Sequence, residues 1–429
     1  MAAYIRLLRN RPFVLLWLGQ IVSRFGDVLY YAGMLWLVKE LTHSNTVTGL
    51  AGMAMALPQL TGPLAGVLVD RWPRRTVLLA SDLVRGVLVL TVPLLAWLGR
   101  LNAWGVIAVV FALSLVSQAF VPAKQAIVPE LVDEDGLVTA NSLDTMAQSG
   151  MQVLGFLISG ALIVLVGPVH LFTLDGISFF ISALFITLMG TVRSAARPQP
   201  AAPAEPPSAA SRGTFWNELR EGVMFLLNTP LTRLVIPAAV VINFVFGPVM
   251  VLLPSYATDI LGAGAKGYGY LEGALAGGML LGAALLPILG RKLSQLVTMT
   301  GGISLMGLSI VGAGFSSHLS WSLALMLLNG VTNAAINVTF LTLLQSMVPK
   351  QLHGRVFSSL FTLVSVASPL GLGLSGVLAD RFSVSAVYIA AGLTTLAMGI
   401  VLVLPAQRVL ADLQTRMQQP QAEITPDLA

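Results

Sequence analysis

Arg24 and Asp27 stand three residues apart inside the long apolar run VLLWLGQIVSRFGDVLYYAGMLWLV. On a helix this spacing puts both side chains on one face, where they can pair. An ionisable group at that depth in apolar sequence is costly and marks a site that handles a proton or a charged substrate. Asp82 and Arg85 repeat the spacing in SDLVRG, nearer the end of their run, and read as part of a gate. Glu272, in GYLEGAL, reads either as a coupling carboxylate or as an interfacial residue. Asn329, Asn333 and Asn337 recur every four residues in NGVTNAAINVT, a polar stripe that can join helices or line a wet cavity. Asn243, Gln148 and Gln152 are weaker amide candidates of the same kind, whereas Asp144 and Asp175 read as interfacial.

The elements that must position these groups follow from composition. The 429 residues are 56% hydrophobic and 10% charged, against about 25% charged in a soluble domain. So few charges cannot clothe a soluble protein of this size, and the solvent is largely lipid. The absence of cysteine excludes disulfides, zinc-thiolate sites and a cysteine nucleophile. HExxH and the Walker lysine motif are absent. GLGLSG at 371–376 has the G-x-G-x-x-G spacing but sits inside an apolar run with no strand before it, so it is no dinucleotide loop. Asn337-Val338-Thr339 matches a glycosylation pattern only at membrane depth, and the four histidines lie at run ends or between runs. The chain reads as no enzyme, with no metal and no cofactor.

A spanning helix needs about 20 mostly apolar residues. Twelve candidates lie near 12–38, 46–69, 76–98, 104–123, 140–166, 170–190, 231–257, 267–289, 294–315, 320–347, 355–379 and 384–405. The N-terminus is basic then apolar, but its apolar run is too long for a signal peptide, and it reads as a retained first span. Residues 194–213, rich in Ala, Pro and Ser, form an extended linker. Residues 214–230 follow as an amphipathic helix, with Phe215, Leu219, Val223 and Leu226 at helical spacing. The expected organisation is a first bundle over 1–193, a linker with its surface helix over 194–230, a second bundle over 231–405 and a tail over 406–429. Six spans on each side of a linker are the mark of an internally duplicated transporter.

With the N-terminus inside, 18 of the 24 lysines and arginines fall on inner segments and 4 on outer ones. This bias places both termini in the cytoplasm and accounts for the positive net charge without nucleic acid.

The phrase GVLVDRWPRR, residues 66–75, closes the second span and carries Asp70, Arg71, Arg74 and Arg75. A carboxylate at a helix C-terminus faces the negative end of the dipole. Asp70 therefore needs arginines nearby or the N-terminus of another helix, and either makes it a clasp at the cytoplasmic mouth. Gly62 and Gly66, four apart, allow another helix to approach closely. A shortened copy, GVLADRF, ends the eleventh span on the opposite side, without the extra arginines.

GVLVDRWPRRTVLL resembles the loop signature of the major facilitator superfamily, Gly-x-Leu-x-Asp-Arg-x-Gly-Arg-Arg, with Pro73 where glycine is usual. DLVRG, VPELVDEDGLVTANSL and VPKQLHGRVFSS resemble its branch of macrolide and siderophore exporters. The resemblance implies an all-α membrane protein of twelve transmembrane helices in two six-helix bundles, the major facilitator fold. It implies that Asp70, Arg71, Arg74 and Arg75 stabilise the outward-open state by docking on the eleventh helix, in a gate motif that also takes in Gly66, Asp82 and Arg85. The family's antiporter motifs are missing: SLVSQAFVPAKQ carries no arginine and GMQVLGFLISGAL no Gly-Pro pair.

The expected function is secondary active transport by alternating access, with proton-coupled export of a lipophilic or amphiphilic small molecule and Asp27 as the coupling carboxylate. A nutrient importer or facilitator and a lipid carrier of the same fold are the alternatives; a channel or membrane receptor is the non-carrier one. The expected partners are the small-molecule substrate, protons and membrane lipids, and the protein is expected to be a monomer in the cytoplasmic (inner) membrane.

Overall fold

The computed structural model describes residues 2–69, 71–190, 224, 232–289, 294–348 and 353–418. The linker, the surface helix but for Met224, Asp70 and the end of the tail lie outside the described residues. Among those described there are helices and no strand.

The chain begins with α1 (Ala2–Leu8) and α2 (Arg11–Thr42). Asn10 starts α2 by accepting from the Phe13 amide at 3.2 Å, and His43 ends it with φ 51°. Ser44 then caps α3 (Asn45–Ala56) by accepting from the Val47 amide. A tight turn of 3-10 helix over Leu57–Thr61, with Pro58 inside it, separates α3 from α4 (Gly62–Val69). The expected second span is therefore two helical pieces, because Pro58 and Pro63 remove two amides from one short stretch. Next come α5 (Arg74–Trp97), α6 (Ala103–Leu131), α7 (Glu134–Val166) and α8 (Pro168–Leu188).

Beyond the linker lies α9 (Thr232–Val251), bent by 44° against the helical stretch Leu253–Ile260. There follow α10 (Gly264–Leu289), α11 (Gln295–Phe315), α12 (Leu319–Met347), α13 (His353–Arg381) and α14 (Val384–Gln418). Nine described helices are long and apolar enough to cross a membrane, or ten with the bent pair. They coincide with ten of the expected ranges; 46–69 is the broken helix and 355–379 lies within α13. Large apolar side chains such as Leu165, Val401 and Leu184 face outward, as a lipid solvent demands.

The helices before residue 190 pack chiefly on one another, α2 against α8 and α7, and α5 against α6 and α8. Those after 232 do likewise, with α11 against α12 and α14, α10 against α12, and α9 against α13. Two further pairings join the halves, α3 with α13 and α7 with α10. Both pairings rest on glycine. A methyl group on Gly49 would come within 2.7 Å of the Leu372 carbonyl, and one on Gly160 within 2.8 Å of the Gly269 amide nitrogen. Among the glycines of 371–376, Gly376 serves the same purpose against the backbone of Asn45, while Gly371 lets α13 approach the backbone of Phe244 on α9 of its own half.

Candidate functional site

A cavity of about 680 Å³ lies between the halves. Arg24, Asp27, Tyr30 and Tyr31 of α2 form one wall, with Arg85 of α5 and Phe120 of α6 beside them. Gln152 and Phe156 of α7, Met250 and Phe246 of α9, Met279 of α10 and Asn333 of α12 complete it. The lining sets five aromatic rings and three methionines beside ten polar or charged side chains, so it offers both apolar surface and polar groups to a small molecule.

Arg24, Asp27, Gln152 and Asn333, the coupling or substrate candidates, line this one cavity, and Arg85, expected in the gate, lines it with them. The expected Arg24–Asp27 ion pair is not made; neither side chain has an ion-pair partner among the described residues. Both project into the cavity, where hydration competes with a flexible pair. The asparagine stripe divides. Residues four apart advance by about 40° per step on a helix of 3.6 residues per turn. Asn333 accordingly lines the cavity, Asn329 is buried and donates to Ser309 of α11 at 3.3 Å, and Asn337 is exposed and donates back to Asn333. Asn243 and Gln148 are exposed and do not line the cavity.

Asp82 and Arg85 are not at a mouth. They form a buried ion pair on α5, and the Arg85 guanidinium lies between the rings of Phe120 and Phe179, 4.4 and 4.3 Å from their centroids. Rings on both faces hold the cation where water would otherwise solvate it. Asp175 is likewise not interfacial: it is fully buried on α8, against Gly26 of α2. It sits two turns into α8, which begins at Pro168.

At the end of the molecule away from Arg11, here termed the distal mouth, hydrogen bonds join the halves. The Asp380 carboxylate accepts from the Asn45 amide at 3.0 Å, the Thr46 amide at 2.8 Å and the Ser44 hydroxyl at 2.9 Å. It therefore caps the N-terminus of α3 from across the interface. Burial pushes the Asp380 carboxyl up, but the bonds from Thr46, Asn45 and Ser44 outweigh it and hold the pKa below the ordinary value. Lys39 bridges to Asp259 at 2.8 Å and donates to Asn45 at 3.2 Å, and Ser255 also bonds Asn45. Deeper in, Glu272 is buried outside the cavity lining, where it accepts from Tyr268 at 2.6 Å and from Ser159 of α7 at 3.1 Å. Tyr268 in turn stacks on Trp36.

At the opposite, proximal mouth the longer phrase behaves differently. Arg74 pairs with Glu130 and donates to the Ala126 carbonyl of α6, and Arg75 donates to the Ile186 and Thr187 carbonyls at the end of α8. Among the described residues the partners of these two all precede residue 190, and none lies on the eleventh helix. Arg71 is exposed. Among the described residues nothing stands within 4 Å of a methyl group placed on Gly66, and only the Gln118 amide, at 3.4 Å, meets one on Gly62, so no close approach is made at this pair by those residues. Lys124 and Asp144 pair at 2.6 Å beside a second, smaller hollow.

A multi-pass helical membrane protein with a central cavity between two sets of helices, held together at one mouth, is a transporter. Residues 3–428 match the family of transmembrane secretion effectors, and the chain belongs to this family of the major facilitator superfamily. It is 25% identical to macrolide efflux protein A of Streptococcus pyogenes, over 91% of this chain and 94% of that one. It is 29% identical to the multidrug efflux pump Tap of Mycolicibacterium fortuitum, over 94% and 98%. Among solved structures, a bacterial homologue of the iron transporter ferroportin in an inward-facing state superposes with a TM-score of 0.70. That match covers 93% of this chain and 99% of that one at 17% identity, a likeness of fold.

Proposed function

We propose that this transporter exports lipophilic or amphiphilic small molecules by alternating access, in exchange for protons. The observation that carries the reading is the cavity, in which unpaired Arg24 and Asp27 stand among aromatic and methionine side chains. The apolar wall suits a lipophilic body, and the two unlike charges can each meet a polar group or a proton. The efflux names of two relatives support the direction. One proton moving down 100 mV supplies about 2.3 kcal/mol, enough to bias two states of similar energy.

The twelve expected spans then form two six-helix bundles, 1–193 and 231–405, joined by the linker with its surface helix. The proximal mouth faces the cytoplasm of an inner membrane, following the distribution of lysine and arginine. With the distal mouth fastened, the conformation is inward-facing.

The test is flux in proteoliposomes with erythromycin as first probe, comparing wild type with Asp27→Asn. The expected result is erythromycin-dependent proton movement in the wild type and its loss in the variant. Undiminished coupling in Asp27→Asn would remove Asp27 from the mechanism, and accumulation indifferent to the pH gradient would remove proton exchange altogether. Inward-directed accumulation would favour the importer.

A further inference from the structure

Behind the cavity wall, where α2, α5 and α8 meet, buried polar groups outnumber their partners. Asp175 is fully buried and faces Gly26 of α2 so closely that a methyl group there would stand 2.6 Å from its Oδ1. Its nearest hydroxyl, Ser178, donates at 2.7 Å to the Asp175 backbone carbonyl, leaving only a 3.4 Å contact to Oδ1. Oδ2 has no hydrogen-bond partner among the described residues. On α2 the hydroxyl of Tyr30 is also buried and without a hydrogen-bond partner among the described residues, and its ring packs edge-on, at 5.4 Å, against Phe172 of α8, three residues before Asp175. On α5, Asp82 is joined to Arg85. The charged groups that Asp175 meets are therefore Asp27 from α2 and Asp82 and Arg85 from α5.

The charges of this region do not balance as ordinarily written. Three carboxylates, Asp27, Asp82 and Asp175, stand with two guanidinium groups, Arg24 and Arg85. Fully ionised, the set holds one surplus negative charge, two of its carboxylates, Asp82 and Asp175, are fully buried, and a buried carboxylate without a cation or donors is strongly unfavourable. One proton makes the set neutral. Asp82 already has Arg85, and Asp27 faces the cavity; Asp175 has neither.

We infer that Asp175 holds a proton in this conformation, and that Asp175, Tyr30 and Asp27 together form the proton-binding site of the transporter. The inference rests on the proton-exchange reading above and names the groups that carry it out. When the helices shift to bring Tyr30 Oη within hydrogen-bond reach of both carboxyls, Asp175 passes its proton to Tyr30 Oη as the Tyr30 hydroxyl proton passes to the Asp27 carboxylate. Asp175 is left as a carboxylate, Tyr30 is unchanged, and the neutral acid at Asp27 faces the cavity, where it can be released. Tyr30 bridges a dry store and a wet exit, a relay for which a buried hydroxyl with no fixed partner is suited.

The test needs no knowledge of the substrate. Full-length protein carrying carbon-13 aspartate is purified into lipid, and its infrared spectrum is recorded at neutral pH. The wild type is expected to show the C=O stretch of a protonated aspartic acid, and Asp175→Asn to lose it. Asp175→Glu is expected to replace the labelled band by that of an unlabelled glutamic acid, which decides the matter even if Asp175→Asn does not fold. An unchanged band in Asp175→Asn, or no such band in the wild type, overturns the inference. In inverted membrane vesicles, gradient-driven ethidium efflux is expected to fall at least tenfold in Asp175→Asn while downhill equilibration persists. Loss of the band together with wild-type efflux that ignores an uncoupler keeps the proton on Asp175 and defeats proton exchange. Uncoupler-sensitive efflux with a band independent of Asp175 does the reverse.

Discussion

The two copies of one phrase sit at opposite mouths and hold different things together. At the proximal mouth Arg74 and Arg75 reach α6 and α8, elements of their own half. At the distal mouth Asp380 reaches across to the other half and takes the first amides of α3. The copy that looked depleted is the one that spans the interface. It manages without extra arginines because its counter-charge is the positive end of a helix dipole, made of backbone N–H groups. The longer copy needs its arginines to tie α5 into the first half, and no described residue closes on Gly66. One mouth is thus built as a fastening between halves and the other, in this conformation, as a reinforced rim.

The comparison breaks most completely at glycine. Gly160→Leu forces a side chain into the backbone of Gly269, and overpacking of this kind costs about 1–3 kcal/mol. Distal closure should fail, with at least a tenfold loss of transport. Because the chain has no cysteine, spin labels at Leu41→Cys and Phe382→Cys report the distal separation directly. The variant should show the long distance only; a short distance at wild-type population would contradict the fastening.

Lys39→Ala comes next. It removes a buried ammonium that reaches both Asp259 and Asn45. Asp259 is partly solvated, so the expected cost is about 1–2 kcal/mol, below that of a fully buried pair. The same label pair should report a distal mouth open in a several-fold larger fraction of molecules.

Asp380→Ala loses a helix cap, worth about 1 kcal/mol, and should shift the open fraction a few-fold in the same direction. The pH dependence of this clasp has a definite sign. The Asp380 pKa is lowered in the fastened state, so its contribution is complete above the ordinary carboxylate value of 3.8 and is lost only as pH falls below it. Between neutral and mildly acidic pH the Asp380-dependent part of the distal distance should not move; a change near pH 6 would assign the clasp to another group.

The smallest conformational effect belongs to Arg75→Ala. Its partners are carbonyls of its own half, so thermal stability should fall by about 1 kcal/mol, with the distal distance distribution unchanged. A large shift toward distal opening would show that the proximal rim also senses the other half.

Much of the architecture was legible because apolar runs of spanning length leave little choice in lipid. The break at Leu57–Thr61 was visible only as Pro58 and Pro63, residues that membrane helices often tolerate. The cavity members Arg24 and Asp27 announced themselves by charge at depth. Asp175 did not: seven residues after Pro168 it looked close to a helix end, and only packing against Gly26 shows it to be buried. The role of Asp380 had no side-chain signature to find, since two of its three partners are backbone amides. The asparagine stripe was read as one face, although a four-residue spacing slowly turns around a helix.

One feature of the cavity has a consequence for what this protein recognises. Met55, Met250 and Met279 line it with unbranched thioethers, which repack at little cost. Such a wall has no single shape to match, so chemically unrelated compounds should compete for overlapping footprints rather than for one fixed pose. Mutation of a single methionine should then reorder preferences among compounds more readily than it abolishes any one of them.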